Sequence, residues 1–64
     1  MATFKIVMVT NNYRKAIDMP KDLNLDLFDA VHRADIYAKR NLNATFFVVN
    51  NENADIEYET PRGW

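Results

Sequence analysis

The sequence predicts a two-layer α+β sandwich in which one helix covers a four-stranded antiparallel sheet, with the element order β-β-α-β-β. Three observations indicate this fold class. Strand-like apolar runs lie near both ends of the chain, a helical apolar period lies between them, and asparagine-rich turns follow the two main strand runs. At 64 residues the chain is expected to form a single domain, residues 1–60, with a short C-terminal tail, residues 61–64.

The N-terminal half contains a predicted hairpin. Residues 3–10, TFKIVMVT, are rich in β-branched and aromatic side chains and predict the first strand. Asn11 and Asn12 favour a tight turn, because asparagine tolerates the left-handed backbone that such turns need. A shorter second strand is predicted from about Arg14 to Met19, and Pro20 ends it. Without that second strand the plan becomes β-α-β-β.

Residues 25–42 have the apolar period of a helix. A helical wheel centred on Leu27 places the apolar side chains on one broad stripe, which is expected to face the sheet. The stripe consists of Leu27, Ala30, Val31, Ala34, Tyr37, Ala38 and Leu42.

Polar residues predict both ends of this helix. Asp26, followed by Asp29 three residues on, or else Asn24, is expected to cap the first turn. Asn41 or Asn43 is expected to end the helix in a left-handed conformation.

The C-terminal half contains a second predicted hairpin. Residues 44–49 form a compact apolar run, and an Asn-rich turn leads into residues 55–60, where Ile56 and Tyr58 alternate with acids as in a half-buried strand. The first and third strands are apolar on both faces and are predicted to be central. The second and fourth carry charges and are predicted edges. The predicted strand order is therefore 2-1-3-4.

The residue content argues against an enzyme. Serine and cysteine are absent and the four threonines have no motif around them, which excludes the commonest covalent nucleophiles. The only glycine is Gly63, so no glycine-rich loop exists to bind a phosphate. The single histidine, His32, falls on the polar side of the helix and is interpreted as a surface residue. We expect no enzymatic activity and no cofactor.

The acidic residues do not predict a metal site. Asp22, Asp26 and Asp29 near the helix start, and the acids of the fourth strand, do not match the spacing of a calcium-binding loop. The net charge of −1 argues against the strong basic field of non-specific nucleic-acid binding. No apolar run resembles a signal peptide or a membrane span, so a cytoplasmic location and no membrane partner are expected.

Three surfaces are candidates for binding a partner, and the first is the sheet face opposite the helix. Four apolar side chains are predicted there: Val7, Val9, Phe47 and Val49. In the alternative interpretation the stems of Lys5, Lys15 and Tyr13 cover this face.

The second candidate surface lies on the outer side of the helix. Ile36 falls opposite the apolar stripe, and with Phe28 and the polar neighbours His32, Arg33 and Arg40 it is predicted to form an anchor ringed by polar groups.

The third candidate surface is the acidic edge formed by Asp55, Glu57 and Glu59. Their spacing places like charges about 7 Å apart along one strand face. The alternative is that these acids only protect an edge strand from aggregation.

These surfaces favour a small non-enzymatic interaction protein that binds a larger protein and modulates or inhibits it, with a homodimer as another form of association. In size and plan the chain resembles the small accessory inhibitors that phages and mobile elements encode, although no motif carries that resemblance. The alternative is a nucleic-acid-binding module that uses the sheet face, with Lys5, Arg14 and Lys15 beside Tyr13 or Phe47. An enzyme assembled across a homodimer, with His32 paired to an acid of the other subunit, ranks last.

Overall fold

The computed structural model describes residues 2–10 and 16–61, which form the predicted β-β-α-β-β arrangement. The elements are β1 Phe4–Thr10, β2 Ala16–Asp18, α1 Leu27–Arg40, β3 Ala44–Asn50 and β4 Ile56–Glu59. All neighbouring strands are antiparallel and the sheet order is β2-β1-β3-β4. The predicted fold class and strand order are therefore confirmed. The predicted Asn11–Asn12 turn and the tail beyond Pro61 lie outside the described residues.

The core lies between α1 and one face of the two central strands. Ile6 of β1 and Phe46 and Val48 of β3 are completely buried beneath the helix. Ala30 and Ala34 face them and are also completely buried, since their small side chains allow the helix to approach the sheet closely. The middle of the predicted helical stripe is thus confirmed.

The two ends of that stripe are exposed, contrary to the prediction. Leu27 lies in the first turn of α1, and Leu42 lies beyond its last residue, where its side chain is 59% exposed. The helix ends earlier than predicted, at Arg40, and Asn41 caps it. The backbone N–H of Asn41 makes the last helical bond to the carbonyl oxygen of Tyr37 at 2.9 Å, and its side-chain amide donates to the same oxygen at 3.0 Å. Asn41 has a φ of −132°, and Ala54 is the only described residue with a positive φ, so the left-handed end predicted at Asn41 or Asn43 is wrong. At the other end, Asp26 caps the helix as predicted, since its carboxylate accepts the backbone N–H of Asp29 at 2.7 Å.

The segment between β2 and α1 continues the pairing along the edge of β1. The backbone of Ile6 bonds to both Met19 and Asp22, and the backbone of Phe4 exchanges two hydrogen bonds with Leu25. These bonds provide partners for backbone N–H and C=O groups at the edge of β1, beyond the part that pairs with the three residues of β2. They also hold Asp22 against the interior of the protein.

Candidate protein-binding surfaces

The sheet face opposite α1, here called the open face, carries a row of apolar side chains. Residues paired across strands share a face, so Val7 lies beside Phe47, and Val49 lies between Lys5 and Ile56. The described residues contain one helix, and it packs on the other face. The prediction that Val7, Val9, Phe47 and Val49 share this face agrees with the register.

Ile56 joins the open face because of a β-bulge. Val48 pairs with Tyr58 but Val49 pairs with Ile56, so Glu57 is an extra residue in β4. Tyr58 therefore lies on the core side, whereas Ile56 lies on the open face with 61% of its surface exposed. The regular alternation predicted for this strand is wrong at this point. Sequence reasoning did not include Ile56 among the candidate binding residues.

The part of the open face around Val7 of β1 and Thr45 of β3 is shielded. Val7 is only 9% exposed and Thr45 only 5%. The ammonium of Lys5 lies 3.4 Å from the carboxylate of Asp18, which pairs with Val7, so the stem of Lys5 runs past Val7. The covering role considered for Lys5 is thus supported, while Tyr13 and Lys15 lie outside the described residues. The apolar strip considered below is formed by the exposed Ile56 and its half-buried neighbours Phe47 and Val49.

Acidic side chains border this strip along β4. Asp55, Glu57 and Glu59 are all exposed, and Glu59 shares the open face because it pairs with Phe47. The bulge at Glu57 breaks the every-second-residue spacing, so the three carboxylates do not form the regular row of charges that was predicted. They form an acidic border, Asp55, Glu57 and Glu59, next to an apolar strip.

The outer face of α1 carries a second exposed surface, here called the helix ridge and formed by the apolar side chains of Phe28 and Ile36 with His32 between them. These residues recur every four positions and all three are exposed, Phe28 to 90%. Arg40 is exposed beyond the end of the ridge. Arg33 is directed away from the ridge, because its guanidinium contacts Asp22.

A buried carboxylate that the sequence analysis missed lies on the other flank of α1. Asp22 is only 1% exposed and accepts hydrogen bonds from the Tyr37 hydroxyl at 2.5 Å and from Arg33 at 3.3 Å. The Arg33 side chain also lies 3.9 Å from Asp29. The hydrogen bond to Asp22 raises the pKa of Tyr37 above its ordinary value of 10.0, with burial as the next cause. One sequence feature could have indicated a partner for these side chains. Arg33 and Tyr37 lie one helical turn apart, so both can reach the same carboxylate.

A second tyrosine links the helix to the edge of the sheet. The Tyr58 hydroxyl donates to the carboxylate of Asp35 at 2.6 Å, and this bond raises the pKa of Tyr58. Both tyrosine contacts join separate parts of the fold. In the described part of the chain, every buried polar atom of a side chain has a hydrogen-bond partner. We therefore interpret both contacts as structural hydrogen bonds that stabilise the fold.

Other kinds of site have no support among residues 2–10 and 16–61. These residues contain no group of three His, Cys, Asp or Glu side chains that could hold a metal ion. None of their helices is long and apolar enough to cross a membrane. Comparisons with protein-family models, curated proteins and solved structures find no match for this chain. The open face and the helix ridge are the two surfaces in the described part of the chain that expose large apolar side chains beside charged groups.

Proposed function

We propose that this chain is a small non-enzymatic interaction protein that binds a larger protein through the open face and modulates or inhibits it. The observation that supports this most is the exposure of Ile56 beside Val49 and Phe47, on the sheet face opposite the only described helix. Burying such a strip against a partner is favourable by about 25 cal/mol per Å² of apolar surface. Contiguous exposed apolar surface is typical of protein interfaces.

The acidic border defines the chemistry of the partner. Glu59 lies directly beside Phe47, and Asp55 and Glu57 are exposed at the same edge. A complementary surface would present an apolar patch flanked by lysine or arginine side chains. Opposite charges around an apolar centre accelerate association and exclude partners of the wrong charge.

The same border disfavours nucleic acid on this face. A phosphate backbone would approach Glu59, and the nearest described cation, Lys5, is already paired with Asp18. The other three residues considered for this role, Tyr13, Arg14 and Lys15, lie outside the described residues. Nucleic-acid binding thus has no supporting observation in the described part of the chain.

The proposal is tested with two matched variants. Ile56→Lys places a cation in the apolar strip, and Leu42→Lys makes the same change at an equally exposed leucine, 59% against 61%, that belongs to neither surface. Each tagged protein is used to capture partners from cells of the source organism, and captured proteins are identified by mass spectrometry. One stoichiometric protein should be captured by the unmodified chain and by Leu42→Lys, and lost with Ile56→Lys.

Two outcomes would contradict the proposal. In one, Ile56→Lys captures the same protein in the same amount as the unmodified chain. In the other, nucleic acid is the captured molecule, and its binding falls by orders of magnitude between low and physiological salt.

A further inference from the structure

The helix ridge is an unpartnered surface distinct from the open face, because it lies on the opposite side of α1 from the sheet. We propose that this ridge binds the same ridge of a second copy of the chain, with the two α1 helices antiparallel around a two-fold axis near His32. This inference goes beyond the proposed function and does not depend on it.

The spacing of the ridge is self-complementary. Phe28 and Ile36 lie four residues before and four residues after His32, so an antiparallel copy places each Phe28 against Ile36 of the other chain. The ridge extends about 12 Å along the helix, at a rise of about 1.5 Å per residue. A parallel pairing would place Phe28 against Phe28 and would break this match of large with medium side chains.

The charges on α1 favour the same orientation. Asp26 and Asp29 lie at its N-terminal end, whereas Lys39 and Arg40 are exposed in its last turn. An antiparallel pair brings the acidic end of each helix beside the basic end of the other, and it also aligns the two helix dipoles favourably. A parallel pair would place like charges together. The net charge of −1 adds little general repulsion between two copies.

The size of the ridge sets the strength of the dimer. One helix face is a small interface, so the dimer is weak and forms at high protein concentration. Phe28 is 90% exposed in the single chain and offers the largest apolar area on the ridge. Large aromatic side chains are frequent among the few residues that contribute most of the binding free energy of an interface.

Sedimentation equilibrium over a range of concentrations tests the contact. Phe28→Gln should raise the dimer dissociation constant by at least about tenfold, as expected for loss of an interface anchor. The control Leu42→Gln removes another exposed apolar side chain, off the ridge, and should leave the constant within about twofold, a difference well under 1 kcal/mol. Circular dichroism of each variant establishes that it remains folded.

A charge exchange tests the antiparallel orientation. With the axis near His32, Asp29 of one copy and Arg40 of the other lie about 7.5 Å apart along the helix direction, a distance that a long arginine side chain can span. Arg40→Glu and Asp29→Lys should each weaken self-association, because each homodimer then carries two repulsive pairs of this kind. An equimolar mixture of the two variants should restore association as a heterodimer, since both contacts become attractive again. A structural effect on the single chain would not produce this rescue.

Three results would overturn the proposal. The unmodified chain could sediment as a monomer at all concentrations, or the mixture could fail to restore association. The third is a loss of self-association in Ile56→Lys as large as that in Phe28→Gln, which would show that one copy uses its open face.

Discussion

Removal of the Asp22 carboxylate should destabilise the fold more than any other change of a polar side chain in the described residues. Asp22 is almost completely buried, and it joins the segment before α1 to Tyr37 and Arg33 of the helix itself. Asp22→Ala removes both contacts and leaves a cavity. Asp22→Asn keeps an oxygen that can accept the Tyr37 hydroxyl but loses the negative charge.

The expected magnitude follows from the two contacts. A hydrogen bond to a charged group contributes about 1.5–3 kcal/mol. The Arg33 pair adds at most about 1 kcal/mol because that side chain is nearly half exposed. Asp22→Ala should therefore cost about 2–4 kcal/mol and Asp22→Asn about 1 kcal/mol. Since a domain of this size has only about 3–5 kcal/mol of stability, Asp22→Ala should keep only a small part of it, and a stabilising osmolyte gives its unfolding transition a measurable folded baseline.

The assay is urea denaturation of a double-mutant cycle in a fixed concentration of osmolyte. The cycle compares Asp22→Ala, Tyr37→Phe and the double variant with the unmodified chain. Because Tyr37 donates to Asp22, the two changes should couple by about 1–2 kcal/mol. Single effects that add to within about 0.3 kcal/mol would refute the reasoning, since they would show that the hydroxyl and the carboxylate act independently.

Three further predictions concern stability. Ala54→Gly should raise the free energy of unfolding in urea by about 0.5–1 kcal/mol, because Ala54 has a φ of 62° and its Cβ is strained there; a loss of stability would contradict this. His32→Ala should change the free energy of unfolding by no more than about 0.5 kcal/mol, because His32 is exposed. Ala34→Asp should unfold the chain, because it places a carboxylate in the core. A folded Ala34→Asp would mean that the helix packs differently. The pKa of Tyr37 is raised in the folded protein, so its contribution to stability is complete below pH 10.0 and is lost as the pH rises through the pKa of the folded state. If Tyr37→Phe leaves the alkaline denaturation profile unchanged, that result would argue against the Asp22 contact.

The sequence was sufficient for the topology because the strongest patterns involve central elements. Ile6 and Val7, on opposite faces of β1, are both apolar, as are Phe46 and Phe47 in β3, and this doubly apolar character places these strands in the middle of the sheet. The helix was predicted from the spacing of its apolar residues, including the buried alanines, and its start from two candidate caps, Asp26 and Asn24, of which Asp26 is the cap observed.

The details that position the candidate sites could not be predicted, because they depend on contacts between distant residues. The burial of Asp22 depends on two contacts. Its own segment pairs with β1, and the hydroxyl of Tyr37, fifteen residues further along the chain, donates to its carboxylate. Residues 55–59 alternate regularly between acidic and apolar residue types in the sequence, so nothing in that pattern reveals the bulge at Glu57 that places Ile56 on the open face.

The turn before β4 shows a similar limit. The left-handed residue is Ala54, although asparagines surround it. Asn50 and Asn53 instead use their side chains to accept the backbone N–H groups of Glu52 and Asp55, at 2.8 and 3.0 Å. Asparagine can satisfy a turn through its side chain as well as through its backbone conformation, and the sequence does not distinguish these roles.

The most direct test of the central claim is the affinity of the purified protein partner for Ile56→Lys, measured by titration calorimetry beside Leu42→Lys. If the open face is the binding surface, Ile56→Lys should weaken binding by at least about tenfold, or about 1.4 kcal/mol, and Leu42→Lys should bind like the unmodified chain. Equal affinities for all three proteins, with each shown to be folded, would contradict the claim.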